Sequence, residues 1–432
     1  MKSSVDLGIA VILLICGAAW SVPHAGEGTW QFYSAILIMG VGWLFALRLK
    51  RISTRTFWII AIALRIIFLP MEPGADIHRY IWEGRVQTHG FNPYGEAPDV
   101  EALTSLRDEN WSHVEFKGIS AIYPPLTELG FRVLASISQA AIFFKIAFIA
   151  ADLVVCLLLS NRFGFPRSLV YAWNPLILYS FAGGAHFDSW FILFLVGAWL
   201  LWERGAQGSA TAFVGVATAL KWISLPILVW CVWRIVRRYG ARTMLIVACA
   251  GALPFIVTWF AVTRGDLAAP LLPKEFVLYA RSCELIPAIV SWVWQGTYVS
   301  NTVYLLPLAA VTLILLRSPS ITLFCERWLL ALLVLSPMVH AWYFTWLIPL
   351  AVATRNAGSI AVSLSAFAYF GISSLPGAPQ NGWALLFLQD GMIWLPLICG
   401  FAWSEYQRVR ESLKQRKLKI AEYKNDLRLT PW

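Results

Sequence analysis

Charge is what this sequence lacks. Asp, Glu, Lys and Arg make up only 13% of the 432 residues, against about 25% in a soluble domain. So few charged groups cannot clothe the surface of a soluble fold, and that class is excluded. Cysteine is also sparse and unpaired in pattern. There are seven, an odd number, and Cys16, Cys156, Cys231, Cys249 and Cys399 lie inside apolar runs. Neither a disulfide framework nor metal-ligand spacing emerges, and these residues act as small apolar side chains. A convincing half-to-half repeat is missing too, which counts against a transporter built from internal repeats.

What is present is hydrocarbon. Hydrophobic residues make up 59% of the chain, including 23 Trp. Apolar runs of roughly 15–20 residues recur, each closed by Arg, Lys, Pro or Asn, as membrane-spanning helices require. The pattern predicts an all-α polytopic membrane protein of about 12–14 spans. They fall near 7–22, 30–48, 56–70, 142–160, 168–182, 188–203, 208–222, 223–236, 242–261, 301–317, 321–337, 341–354, 357–373 and 384–403. Residues 7–22 resemble a secretory signal at their small-residue end, but with Lys2 as the only basic residue before them an uncleaved first span is expected.

Basic residues set the expected orientation. With the N-terminus in the cytoplasm, "RLKRISTR" (48–55), "NRFGFPR" (161–167), "RIVRRYGAR" (234–242), Arg317, Arg327, Arg355 and the tail share one side, as the positive-inside rule demands. The net charge of +10 is then topological and calls for no nucleic acid. The tail reads either as an amphipathic helix on anionic lipid or as a frayed, solvated end.

This divides the chain into N-terminal spans (1–70), a first outer loop with interfacial helices (71–141), central spans (142–261), a second outer loop (262–300), C-terminal spans (301–403) and a basic tail (404–432). The two long loops lie on the outer side, so chemistry belongs there. The first opens with "DIHRYIWEGRVQTHGFNPYGEAPD" (76–99). Asp76, Arg79, Tyr80, Glu83 and Gln87 recur at helical spacing along one face, with Ile77, Ile81 and Trp82 on another. Two readings stand: an interfacial helix with its apolar side in lipid, or a solvated face on which Arg79 pairs with Asp76 and Glu83. "GFNPY" (90–94) is turn-forming, and Tyr123-Pro124-Pro125 is stiff; Thr127 and Glu128 would open a further interfacial helix. Elsewhere His186 and Asp188, Lys221, and His340 with Trp342 and Tyr343 sit at the outer ends of spans. Ionisable groups at membrane depth are costly and usually functional; the competing reading of each is structural, and the aromatics also suit interface anchors.

Asp76, Tyr80, "GFNPY" and "YPPL" (123–126) resemble the first luminal loop of the GT-C superfamily of membrane glycosyltransferases, notably the GPI-anchor first mannosyltransferase and bacterial mannosyltransferase-like proteins. "YPPLTE", "AADL" (150–153) and "GAHFDS" (184–189) are similar to the dolichyl-phosphate-glucose-dependent glucosyltransferases. The resemblance implies a GT-C-type helical bundle and an inverting transfer of a hexose, mannose favoured, from a polyprenyl-phosphate donor to a glycan or glycolipid acceptor at the outer membrane face. It makes Asp76 the essential acid, with Glu83 in reserve. The chain has His78 where the GPI enzyme has a second Asp, so a two-carboxylate metal site is not expected and catalysis without metal is favoured. The leaving phosphate needs cationic partners, and Arg79, Arg281, Lys221 and His340 are the candidates. Tyr80, Asn92, Tyr94, Tyr123, His186 and Asp188 are candidate substrate contacts. A glycan ligase using a pyrophosphate-linked donor, a transporter or flippase, and a scaffold subunit remain as alternatives.

Overall fold

The computed structural model describes residues 2–26, 28–266, 278–294, 296, 300–371 and 382–429. Among these there is no strand, and helices fall on every apolar run. The chain is an all-α polytopic membrane protein. Among the described residues, three helices are long and apolar enough to cross a bilayer unaided, covering residues 4–24, 141–163 and 242–263; most of the other runs form shorter or interrupted helices.

The first three helices are α1 (Lys2–Ser21), α2 (Trp30–Ala46) and α3 (Thr54–Phe68). The first two lie unusually close. A Cβ on Gly17 would sit 2.5 Å from the backbone nitrogen of Met39, and one on Gly42 would sit 2.8 Å from Cβ of Leu13. Small residues drive such approach where lipid supplies no hydrophobic force.

Residues 71–140 then form a folded cap at one end of the bundle. It contains α4 (Asp76–Thr88), the short α5 (Glu109–Ser112) and α6 (Pro125–Ile137). The helical spacing of 76–87 is realised, but its expected setting is corrected. Instead of lying with its apolar side in lipid, α4 is buried around most of its circumference, including Ile77, Tyr80, Ile81, Trp82, Glu83, Val86 and Gln87. The cause is α6. Tyr80 stacks on Phe131 at 4.5 Å, and a Cβ on Gly84 would lie 2.5 Å from the Phe131 carbonyl. Leu103 and Val114 cover Trp82 and Val86 from the other side.

Below the cap run α7 (Ala141–Phe163) and an interrupted segment, α8 (Phe165–Ala172) and α9 (Pro175–Ile177), which ends in a π-helical turn, Leu178–Gly183. Pro175 has no N–H to continue α8, and Asn174 restarts the helix by accepting from the backbone of Leu176 and Ile177. An ion pair within the bundle fixes this frame: Arg65 Nε donates to Asp152 Oδ2 at 2.5 Å, each side chain 1% exposed, and Arg65 also donates to the carbonyls of Ala61 and Ala172. Lys145 holds the end of α3 through the carbonyls of Leu69 and Met71.

Four helices follow: α10 (Asp188–Glu203), α11 (Gln207–Leu220), α12 (Leu225–Tyr239) and α13 (Arg242–Thr263). After them come α14 (Ile286–Val293), α15 (Leu305–Leu315), α16 (Ile321–Leu335), α17 (Ile348–Thr354) and α18 (Ala357–Ser365). The last, α19 (Gly382–Leu429), runs unbroken from the final span into the basic tail, so the tail through Leu429 is helical. Arg408 pins it by donating to buried Glu326 at 2.7 Å. Part of the second outer loop, 267–277, lies outside the described residues. Its end is anchored: Ser282 exchanges backbone hydrogen bonds with Pro337 and Val339 at 3.0 and 2.8 Å, Asn301 donates to the Ala280 carbonyl, and Trp394 donates to that of Cys283.

Candidate active site

Asp76 begins α4, where the helix N-terminus favours negative charge. Its side chain is 36% exposed, and its Oδ2 lies 3.5 Å from His186 Nδ1. The same oxygen accepts a 3.3 Å hydrogen bond from the Tyr80 hydroxyl. Burial by itself would raise the Asp76 carboxyl; hydrogen bonding and charge at His186, the charge of His340 and the Tyr80 hydroxyl outweigh it and hold the group below the usual carboxylate range. Asp76 is therefore ionised at neutral pH. It can accept a proton.

The partner reaches Asp76 through a strained turn. After the π-helical segment, Ala185 adopts φ +62°, a left-handed conformation costly for a residue with a Cβ and concentrated at functional sites. His186 N–H donates to the Ser180 carbonyl at 3.0 Å, and Gly74 N–H donates to the Gly184 carbonyl at 3.0 Å. That last bond ties the turn to the residues just ahead of Asp76.

His186 lies flat on Trp342, ring centroids 3.7 Å apart and planes within 15°. His340 covers the opposite face of the indole at 4.5 Å and 9°. The result is a three-layer stack with imidazole outside and indole within. His340 Nδ1 meets the Tyr369 hydroxyl at 2.6 Å. Burial first, with the charges of His186 and Lys221, holds His340 down to about 4 against the opposite pull of Asp76 and Asp188.

A second polar knot adjoins the stack. Lys221 Nζ donates to Asp188 Oδ1 at 2.6 Å, and the Trp346 indole N–H donates to the same oxygen at 2.6 Å. The ammonium sits over the rings of Tyr343, Trp346 and Phe187 at 4.6, 4.8 and 5.0 Å, a cation–π cage. Thr127 of α6 donates to the Leu220 carbonyl at 2.7 Å, which fastens the cap to the Lys221 turn. Tyr123 packs edge-on against Tyr80 and Phe187, both at 5.3 Å.

Thus Asp76, Tyr80, Tyr123, His186, Asp188, Lys221 and His340 converge, although they come from distant parts of the chain. Other candidates are placed differently. Arg79, a candidate phosphate ligand, is engaged within the cap. Its Nε donates to Glu83, and its two Nη groups donate to the carbonyls of Glu115, Phe116, Ile119 and Ser120, so all five N–H groups are taken by protein acceptors. Glu83, the reserve base, is buried, and its carboxylate is paired to Arg79 at 2.7 Å. Beside it Glu128 is fully buried, and burial followed by the charge of Glu83 pushes its carboxyl well above the usual range. Asn92 serves a turn by accepting from the Tyr94 N–H. Tyr94 donates to the Tyr123 carbonyl at 2.7 Å and packs on Trp259. Both are buttresses. Arg281 pairs with Glu284 at 3.0 Å, close to the Ser282 bridge that adjoins the His340 segment. His78 is engaged by Asn110 at 2.9 Å.

Several contributors escaped the sequence reading. Trp346 carries no signal of its own among 23 tryptophans, the stacking of Trp342 between two imidazoles has no sequence signature, and nothing in the apolar run around Tyr369 signals that its hydroxyl meets His340.

A comparison with protein families places this arrangement. The model for the N-terminal domain of alpha-(1->6)-mannopyranosyltransferase matches residues 14–237, more than half of the chain. The chain belongs to this family. The matched region holds Asp76, Tyr80, Tyr123, His186, Asp188 and Lys221, while His340, Trp342 and Tyr369 lie beyond it. A comparison with curated proteins gives no match. The family and the all-α fold make this a mannosyltransferase-like membrane protein, a glycosyltransferase that transfers mannose.

Proposed function

We propose that the protein moves mannose from a polyprenyl-phosphate donor to a glycan or glycolipid acceptor at the outer face of a bacterial cytoplasmic membrane, with inversion at the anomeric carbon. Asp76 is the general base in this reading. The observation that carries it is the setting of Asp76: an ionised, partly exposed carboxylate beside His186, whose ring is stacked on Trp342.

The chemistry follows from what the reaction needs. A sugar hydroxyl is a poor nucleophile, so a carboxylate must take its proton as it attacks, a contribution of about 10²–10⁴-fold. The C1–O bond to phosphate breaks as the new glycosidic bond forms, and the departing phosphate gains negative charge. Cationic and hydrogen-bonding groups that strengthen with that charge lower the barrier. Lys221, His340 and Arg281 are the proposed partners, and Tyr80, Tyr123, His186 and Asp188 border the sugar. The positive-inside distribution of basic loops supports the outer orientation.

The test is transfer by the purified, reconstituted protein with a panel of polyprenyl-phosphate sugars and nucleotide sugars. Activity with polyprenyl-phosphate mannose, abolished in Asp76→Asn without loss of folded protein, is expected. Use of a nucleotide sugar alone would overturn the donor assignment, and an active Asp76→Asn would overturn the base.

A further inference from the structure

Transfer from a sugar phosphodiester to a hydroxyl releases one proton: the acceptor loses it, and the phosphate leaves as a monoester with a second pKa of about 6. Asp76 can take that proton, and it must pass the proton on before it can serve a second turnover. Whatever receives the proton next must lie beside Asp76. In the described structure that neighbour is the His186 ring, with Nδ1 3.5 Å from Oδ2 and only 6% exposed.

We infer that His186 is a relay residue: it accepts from Asp76 the proton taken from the acceptor hydroxyl, and the Trp342 face stabilises the imidazolium so formed. This inference rests on the assignment of Asp76 as base. The acceptor O–H electrons form the bond to C1, the C1–O electrons leave with the phosphate, and the proton passes from Asp76 Oδ2 to the lone pair on neutral Nδ1. Asp76 returns to its carboxylate, and His186 later gives the proton to solvent or to the departing phosphate.

The stack explains why this imidazole and not its twin does the work. Both faces of Trp342 are covered, so the indole cannot serve as a platform for a sugar. A cation on one face is favoured by the ring quadrupole, while cations on both faces would repel. His340 is buried, hydrogen-bonded to Tyr369 and placed near the Lys221 ammonium, which keeps it neutral. The other groups around the relay are Asp76 and Tyr80 of α4, Tyr343 and Tyr369, Lys221 and Asp188. Asp76 is the carboxylate that contacts the His186 ring, whereas Asp188 is held by Lys221 and Trp346. The strained Ala185 and the bond from Gly74 to Gly184 fix the distance between acid and imidazole.

The experiment is single-turnover transfer for wild type, His186→Gln, Trp342→Leu and Asp76→Asn, with thermal unfolding recorded for each. His186→Gln should lose about 10–100-fold in rate and change donor KM by less than about threefold. Trp342→Leu should slow transfer while donor KM stays within about threefold. Should His186→Gln unfold, His186→Ala assayed with added imidazole takes its place, and recovery of rate is expected. A wild-type rate in His186→Gln, no imidazole recovery, or a wild-type rate in Trp342→Leu overturns the relay. Inactive Asp76→Asn beside an unaffected His186→Gln would sink the relay and leave the base standing; active Asp76→Asn would sink the base.

Discussion

Lys221 and Asp188 lie 2.6 Å apart inside an aromatic cage, joined there by the Trp346 indole. Asp188 is 1% exposed, so its charge depends on that partner. Removing one member of a buried pair costs about 3–5 kcal/mol, whereas replacing both with apolar groups can be nearly neutral. Lys221→Met should accordingly lower stability by about 3 kcal/mol, and Lys221→Met with Asp188→Leu should recover most of it in thermal unfolding of detergent-solubilised protein. A stable Lys221→Met with donor KM raised at least about tenfold, roughly 1.4 kcal/mol, would instead make phosphate binding the main task of the lysine.

Arg79 leads to a prediction opposite to the one its position beside Asp76 invites. With every guanidinium N–H on a protein acceptor, it organises the 115–120 segment over α4. Lysine cannot reproduce a planar five-donor fork. Arg79→Lys should destabilise the cap by on the order of 3 kcal/mol, at about 1 kcal/mol for each of several lost bonds, and open residues 99–121 to limited proteolysis. Donor KM of the folded fraction should stay within about twofold. A stable Arg79→Lys with a strongly raised donor KM would return Arg79 to the phosphate.

Much of the architecture was legible because hydropathy is a local property. Each apolar run became helix, and the helical spacing of Asp76, Tyr80, Glu83 and Gln87 was realised in α4. Partner choice was less legible. Arg79 to Glu83 spacing fits a solvated ion pair and a buried clamp equally well, and only the return of the 115–120 carbonyls decides. The burial of α4 depends on α6, which arrives some forty residues later. His186 meets Asp76 because a π turn and a left-handed Ala185 aim it there, neither of which has a periodic signature. Tyr369 sits in an apolar run whose composition says only that it is in the membrane.

Glu128 carries a pH prediction. Burial, then the negative charge of Glu83, raise its folded pKa well above the usual value, so the folded cap holds a proton that the unfolded chain releases near pH 4. Its contribution to stability is fully present below the unfolded pKa and is lost as pH rises toward the folded one. Glu128→Gln, which stays neutral and keeps an acceptor for Gln87, should flatten the alkaline decline of the melting temperature. Glu83→Gln should not substitute for it, because it also strips Arg79 of its carboxylate. An unchanged alkaline decline in Glu128→Gln would mean that Glu128 is ionised in the folded protein.

Orientation decides which donors can reach Asp76 at all. The helices Thr54–Phe68 and Ala141–Phe163 each have one end at the cap, and their far ends meet the Arg-rich loops 48–55 and 161–167. If basic loops stay in the cytoplasm, the cap is outside and the tail is inside. Glu101 is exposed on the cap and Lys414 is exposed on α19, so each can be replaced by Cys with little structural cost. The native cysteines should first be replaced, because Cys16, Cys249 and Cys399 are exposed on the bundle. A membrane-impermeant maleimide applied to sealed cells should label Glu101→Cys directly and Lys414→Cys only after permeabilisation. The reverse pattern would put Asp76 and the His186 stack in the cytoplasm, where nucleotide sugars are abundant, and the polyprenyl-phosphate donor would lose its rationale.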